Sequence, residues 1–569
     1  MTRLLGSWNL SRLRVEGRAG ALAKAGSLLV ALAAAVATLT AQQPVTSARI
    51  EASAKEPQNW LTYSGHYNGQ RYSTLNQITP ANVKNLNLEW VFQVRSLGAA
   101  DKFEATPLVV DGVMYTVSPP NDVVALDAAT GRQFWRYNYT VAQEARPCCG
   151  RVNRGVAILG NSLFMGTLDG RVVALNAKTG EVQWNVAIDR PEAGYALTVA
   201  PLVVKDKVIV GPAGGEFGIR GYILALDPKT GKELWRFNTV PGPGEAGNET
   251  WAGESWKTGG APIWTSGSFD PELNLIYWGT GNPAPSHNGD SRAGDNLYSG
   301  SVIALDADTG KLRWHYQFTP HDEWDWDAAQ IPVLADLEWR GRPRKLMLWA
   351  NRNGFYYVLD RATGQFLQAK AFVKQTWNGG FDERGRPVKL PNTSPTREGT
   401  LIYPGQQGAT NWYNPSYSPR TGLFYIPTWV DYSSRYYKLD AEYVPGRAYI
   451  GGTQSSNTGG SSRDTKLIDT RVDGGYGAVR ALDAKTGEMK WEFKLGDITD
   501  GGILTTAGDV LFTGNRTQYF YGLDARTGDM LWRMYLGGNI RSGPMSYLVN
   551  GKQHIAVAAG TSLFVFAAK

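Results

Sequence analysis

Residues 479–493 read VRALDAKTGEMKWEF. An alternating apolar run predicts a strand. Asp-x-x-Thr-Gly predicts a tight turn, with the Asp side chain bonding local backbone and Gly taking the positive-φ position. A second strand follows, with a Trp on it. The same phrase recurs as VVALDAATGRQFWRY from Val123, VVALNAKTGEVQW from Val172, ILALDPKTGKELWRF from Ile223 and VIALDADTGKLRW from Val302. It returns as YVLDRATGQFL from Tyr357 and YGLDARTGDMLWRM from Tyr521. SFDPELNLIYW from Ser268 and SYSPRTGLFYIPTW from Ser416 read as two degenerate copies.

Spacing of about 40 to 50 residues between neighbouring copies is the period of a propeller blade. Strand pairs such as TPLVVDGVMYTVS and APLVVKDKVIVGP precede most copies. The reading is an all-β chain: one eight-bladed β-propeller of four-stranded antiparallel blades. Trp135, Trp184, Trp235, Trp314, Trp491 and Trp532 share one slot, where each can wedge between adjacent blades. A blade cannot bury its faces alone, so residues 42–569 are read as a single domain. Irregular segments 241–260, 282–297, 377–400 and 432–473 interrupt the pattern, and long loops on a rigid scaffold often carry binding sites.

The formal charge of +7 is concentrated at the start. Arg3, Arg12, Arg14, Arg18 and Lys24 precede the apolar run SLLVALAAAVATLTA at 27–41. This is the pattern of an export signal, predicted over 1–41, with a periplasmic mature protein. No later stretch resembles a membrane span, and no Lys/Arg run suits nucleic acid. GPGEAG at 242–247 matches a dinucleotide fingerprint only in spacing, because no helix follows it. No H-E-x-x-H, C-x-x-C or C-x-x-C-H occurs, which argues against zinc and covalent haem.

Two features carry chemistry. Cys148 and Cys149 are adjacent and are the only cysteines. Neighbouring Cα atoms lie about 3.8 Å apart, whereas disulfides ordinarily want about 4.4 to 6.8 Å. The pair is therefore either a strained eight-membered ring or two buried thiols, which pack as small hydrophobes. The second feature is TPHDEWDWDAAQIP at 319–332, with Asp322, Glu323, Asp325 and Asp327 among aromatics. On a strand, Asp325 and Asp327 would point the same way. Such carboxylates repel unless a cation or proton lies between them, and hard cations take oxygen ligands. A solvated acidic turn is the other reading.

CCGRVNRG (148–155), GGEFGIRGY (214–222), WGTGNPAP (278–285), PHDEWDWD (320–327) and NRNGFYYVLDR (351–361) occur together. With them the chain, from residue 59 to about 560, resembles the pyrroloquinoline-quinone (PQQ) alcohol dehydrogenases of the methanol dehydrogenase-like type. The resemblance implies that a Cys148–Cys149 disulfide covers one face of a flat quinone and Trp264 the other. It implies metal ligands at Glu216, Asn282 and Asp325. Asp327 matches the second Asp of lanthanide-type members, whereas calcium-type members have a small or uncharged residue there. Charge balance agrees, since a trivalent ion needs one more negative ligand.

Arg154 matches an Arg that binds a cofactor carboxylate, and Glu104 a residue at the cofactor rim. Thr198, Ala213, Gly214 and Gly215 match lining positions, and Asn411 an Asn near the reactive carbonyl. Asp325 is implied as the general base and Arg352 as support for charge on the quinone oxygen. The implied reaction oxidises a primary alcohol or polyol to the aldehyde by hydride transfer. Electrons then pass to a soluble cytochrome c. The cofactors implied are PQQ with a lanthanide(III) ion or, alternatively, Ca2+. Asp500 departs from the pattern, because methanol-type members carry Trp there. A second Trp motif near the C-terminus is replaced by AAGTSLFVFAAK. These departures suggest a wider or more polar entrance, one that would admit larger alcohols, polyols or sugars. A calcium-dependent polyol or sugar dehydrogenase and a non-enzymatic periplasmic scaffold are the alternatives. The oligomeric state stays open, with a homodimer among the options.

Overall fold

The computed structural model describes residues 44–94, 98, 101–456 and 475–568. The predicted export signal, and residues 457–473 of the Ser/Gly-rich segment, lie outside them.

Among the described residues, seven four-stranded sheets and one five-stranded sheet build a β-propeller. One sheet runs Leu108–Val110, Val113–Ser118, Asp122–Asp127 and Gln133–Tyr137 in sequence order. Its pairs are antiparallel. The repeated phrase supplies the third and fourth strands of each of seven sheets. The third strand is buried along its length; the fourth is an outer edge strand and only part-covered. A register shift falls at the same place in all seven third-to-fourth pairs, ending at the Leu just before the Asp or Asn that opens the turn.

The turn forms as its composition dictates. The carboxylate of Asp227 accepts from the backbone N–H of Lys229 at 2.9 Å and of Thr230 at 2.8 Å. Gly231 adopts φ +71°. Its lack of a side chain has a second cause. A Cβ there would lie 2.9 Å from the Trp184 ring of the preceding sheet. The Trp184 indole donates to the carbonyl of Pro228 in the same turn at 3.0 Å. Trp135 stands against Gly180, Trp235 against Gly310, Trp314 against Gly364 and Trp491 against Gly528 in the same way. Five of the seven repeats thus lock to the next through one indole and one glycine. In the sheet that ends at Ala371 the slot holds Gln368, which lies against Gly487.

The eighth sheet has no repeat phrase. Strand Leu86–Gln93 pairs antiparallel with Ser562–Ala568, which continues through Lys552–Ala559 to Met545–Val549. The two ends of the described chain therefore share one sheet. Trp90 of its first strand packs on Gly131, and Trp532 meets Phe566 of its last.

The two degenerate copies are corrected here. SFDPELNLIYW forms Ser268–Asp270 and Leu275–Gly279, the first strands of the sheet completed by the Val302 phrase. SYSPRTGLFYIPTW likewise begins the sheet completed by the Val479 phrase. Their turn residues imitate the repeat, yet they occupy the leading hairpin of a sheet.

Candidate active site

Loops from several sheets enclose a cavity of about 420 Å³. Thirteen of the residues singled out in the sequence line it: Glu104, Cys148, Cys149, Arg154, Thr198, Ala213, Gly214, Glu216, Trp264, Asp325, Asp327, Arg352 and Asn411. Gly215 and Asn282 lie behind this surface. The backbone N–H of Asn282 donates to Asp327, and its amide donates to Ser286 Oγ at 2.9 Å. A Cβ on Gly215 would stand 2.5 Å from Asn282 Oδ1, and one on Gly214 would stand 2.2 Å from the carbonyl of Gly194. Both glycines are needed for the turn carrying Glu216 to approach these groups.

Asp325 and Asp327 reach the cavity by a different route from the strand considered above. Residues 319–332 form no strand. Asp322, fully buried, accepts from the backbone N–H of Trp324 at 3.0 Å and of Trp326 at 2.8 Å. This folds the segment around the Asp322 carboxylate and sets Asp325 at φ +64°, rare for a residue with a side chain. Trp324 and Trp326 are buried, with ring centroids 4.7 Å apart, and anchor through the carbonyls of Thr393 and Gly405. Glu323 turns away and pairs with Lys389 at 2.7 Å. Nothing in a motif of alternating Asp and Trp marks Asp322 as the residue that holds the other two.

Glu216, Asp325 and Asp327 form one charged cluster with Arg352. Arg352 Nη1 donates to Asp327, and Nη2 lies 3.9 Å from Asp325. Arg352 Nη2 also donates to the carbonyl of Gln406 at 2.6 Å, and the Gln406 amide donates to Asp325 Oδ2 at 2.6 Å. Asp325 Oδ1 is buried and has no hydrogen-bond partner among the described residues. Burial, reinforced by the charges of Asp325 and Asp327, pushes Glu216 up to about 8. Burial pushes Asp327 up to about 7 and Asp325 to about 6, with Arg352 opposing in both. Three carboxylates facing one arginine, with an unpartnered oxygen among them, suit a hard cation. Such a cation would complete the charge balance.

Cys148 and Cys149 are joined as a disulfide. Cys149 Sγ lies 3.5 Å from Glu216 Oε1, and the carbonyl of Cys149 accepts from Lys102 Nζ at 2.6 Å. The two sulfurs and Glu216 come together as a group, but sulfurs bonded to each other are not thiolates and make no thiolate metal site. Trp264 spans the cavity in a similar sense. Its indole N–H stands beside Asp327, and the Arg154 guanidinium lies 5.0 Å from its ring centroid. The Trp264 carbonyl accepts from Arg154 Nη1 and Thr198 Oγ1, each at 3.1 Å. Arg154 Nη2 bonds Glu104 at 2.8 Å, an ion pair buried on both sides. Asn411 holds its own loop, donating to the carbonyl of Gln407 at 3.1 Å.

Residues missed in the sequence complete the wall. Gln406, Trp412, Lys102, Arg516 and Arg541 all line the cavity. None sits in a recognisable motif. Asp500, noted as a departure, is fully buried and bonds Arg516 through both oxygens at 2.7 and 3.0 Å. Asp500 itself lies behind the cavity wall, and its partner Arg516 is a polar residue of that wall.

The family model for the glucose/ethanol/alcohol dehydrogenase β-propeller domain (PQQ) matches residues 60–369. A model of the outer membrane protein assembly factor BamB matches 475–569. The quinohemoprotein alcohol dehydrogenase ADH IIB of Pseudomonas putida is 40% identical over 94% of this chain and 77% of its own length. The lanthanide-dependent methanol dehydrogenase of Methylacidiphilum fumariolicum (strain SolV) is 37% identical over 89% of this chain and 85% of its own. Among solved structures, a europium-containing methanol dehydrogenase superposes with a TM-score of 0.84 at 35% identity. The match covers 91% of this chain and all of that one.

Proposed function

The chain belongs to the family of PQQ-dependent alcohol dehydrogenases, and on that footing we propose that it oxidises a primary alcohol or polyol to the aldehyde with a lanthanide ion at its centre. The observation that carries the reading is the set of three buried carboxylates on one cavity with the disulfide and Trp264, Asp325 Oδ1 being unpartnered. Asp327 supports a trivalent ion, because a second aspartate adds the negative charge that a divalent ion does not require.

The residues present fit both groups. Glu216, Asn282, Asp325 and Asp327 would hold the ion. Cys148–Cys149 and Trp264 would bound a planar ring, and Arg154 would meet a carboxylate of it. When bound, the quinone takes up the hydride and the ion draws electron density from its carbonyl. The protein's own part is proton handling and orientation. Asp325 accepts the hydroxyl proton of the alcohol at Oδ1. Burial raises the basicity of this carboxyl, and a cation held beside it would favour the ionised form that accepts a proton. Gln406 fixes the other oxygen, so Oδ1 keeps its aim. Arg352 supplies positive charge beside the reacting groups and is itself steadied by Asp327 and Gln406.

We also take the eight sheets as eight blades of one closed ring. The export pattern at 1–41 supports a periplasmic setting, and single-electron exit from a reduced quinone supports a cytochrome c acceptor. Dye-linked turnover on a panel of primary alcohols and polyols, with PQQ plus calcium or a light lanthanide in parallel, tests the proposal. Turnover is expected with the lanthanide. Turnover with calcium alone would overturn the metal assignment, and none with either ion would overturn the activity.

A further inference from the structure

The cavity has a second charged cluster, which shares no ion pair with the three carboxylates. Lys102, Arg154, Arg516 and Arg541 surround Glu104 and Asp500. Four cations thus face two carboxylates, the reverse of the imbalance around Arg352. Arg154 is matched to Glu104, and Arg516 to Asp500. Arg541 is left with Asp500 Oδ2 at 3.9 Å as its nearest ion-pair partner among the described residues. Most of its five N–H donors are therefore available to a bound group. Lys102 donates to the carbonyl of Cys149, so its ammonium sits at the edge of the disulfide.

Two structural elements bridge the clusters. The disulfide touches Glu216 through sulfur and Lys102 through its carbonyl. Trp264 meets Asp327 with its indole N–H and Arg154 with its ring face. A flat molecule between these walls would have an excess of negative side chains near one edge and of positive side chains near the other.

We propose that Lys102, Arg516 and Arg541 form a carboxylate-binding cradle for the acid-bearing rim of the quinone, with Asp500 as the positioning residue that holds the two arginines. The inference rests on the quinone reading above and assigns residues that the family resemblance did not. It also gives a reason for the departure at position 500. A buried aspartate there has no use as an apolar lid, but it aligns two guanidinium groups toward the cavity. Arginine recognises carboxylate through paired N–H donors, and such bonds are strong when both partners are charged and shielded from water.

Binding of PQQ to the purified, lanthanide-loaded protein, followed by quenching of tryptophan fluorescence, tests this apart from turnover. PQQ and its trimethyl ester serve as paired probes. Arg541→Met and Lys102→Met should each weaken PQQ binding about tenfold, the loss of one charge-assisted hydrogen bond. Both should leave the ester's weaker binding unchanged. Asp500→Asn should weaken PQQ binding while Arg541→Lys retains most of it, with circular dichroism verifying that each variant is folded. If Arg541→Met and Lys102→Met bind PQQ as the wild type does, the cradle is overturned while the quinone reading stands. If those variants lose turnover only on alcohols that carry a carboxylate, the cradle serves substrate and the proposal is equally overturned. A wild-type protein that binds no PQQ overturns the functional reading and this inference with it.

Discussion

Arg352 is bonded through Nη1 to the carboxylate of Asp327, a side chain expected to coordinate the metal. The arginine thus provides the positive charge that this carboxylate requires in the metal-free protein. Asp327→Ala should remove a ligand and release Arg352 together. Lanthanide-supported turnover is expected to fall about 100-fold, in line with the effect of losing a ligand or its support. Parallel titrations with calcium and a light lanthanide measure the change, and the calcium response should fall less.

Asp325→Asn keeps size and the Gln406 contact but removes the base. Turnover should drop by about a thousandfold, within the range for general-base loss. Turnover is measured at saturating ion, with quinone absorbance and metal content of the purified variant followed alongside, which separates lost chemistry from the weaker ion binding expected when a carboxylate ligand becomes an amide.

The raised carboxyls make a pH statement about the metal-free protein. An unfolded chain would release the protons of Glu216 and Asp327 near 4.5 and 3.8, whereas the folded protein holds them to about 8 and about 7. The folded state therefore binds more protons across that window, and its stability falls as pH rises through it. Melting temperatures of the metal-free protein should decline from pH 5 to pH 8. The decline should be shallower in Glu216→Gln, which stays neutral, and shallower again with the ion bound.

Trp314 is buried, donates to the carbonyl of Arg361 at 3.1 Å and packs against Gly364 of the next sheet. Trp314→Ala leaves a cavity between two sheets, while the Arg361 carbonyl keeps its bond from the Tyr277 hydroxyl at 2.9 Å. It should cost about 3 kcal/mol, the low end for deleting a buried aromatic. Urea unfolding of the variant beside the wild type checks this, and Gly364→Ala should destabilise for the mirror reason. Its Cβ would stand 2.6 Å from the same ring, at a φ of +76°.

The fold was readable because its signal is local and repeated. Each turn of the repeat carries its own hydrogen bonds, and five of the six slot Trp meet the turn glycine of the following repeat. The eighth sheet was harder to see, because strands from opposite ends of the chain build it and no motif spans that distance. Within the site, motif residues such as Glu216, Asp325 and Arg352 stood out by their neighbours in sequence. Gln406, Arg516 and Arg541 did not, since what defines them is proximity to Asp325 and Asp500 across long stretches of chain. The disulfide stood undecided on bond geometry alone and was indicated only by family resemblance. Asp325 and Asp327 looked like alternating residues of a strand, whereas Asp322 gathers both by capturing two backbone N–H groups.

The pairing of Leu86–Gln93 with Ser562–Ala568 sets an order of events during synthesis. The earlier strand must wait for this pairing until Ser562–Ala568 has been made. A chain cut before Ser562 would leave it without the hydrogen bonds of its neighbour. Until then the sheet stays open at that edge, so its closure reports on the arrival of the later strand rather than on the earlier one.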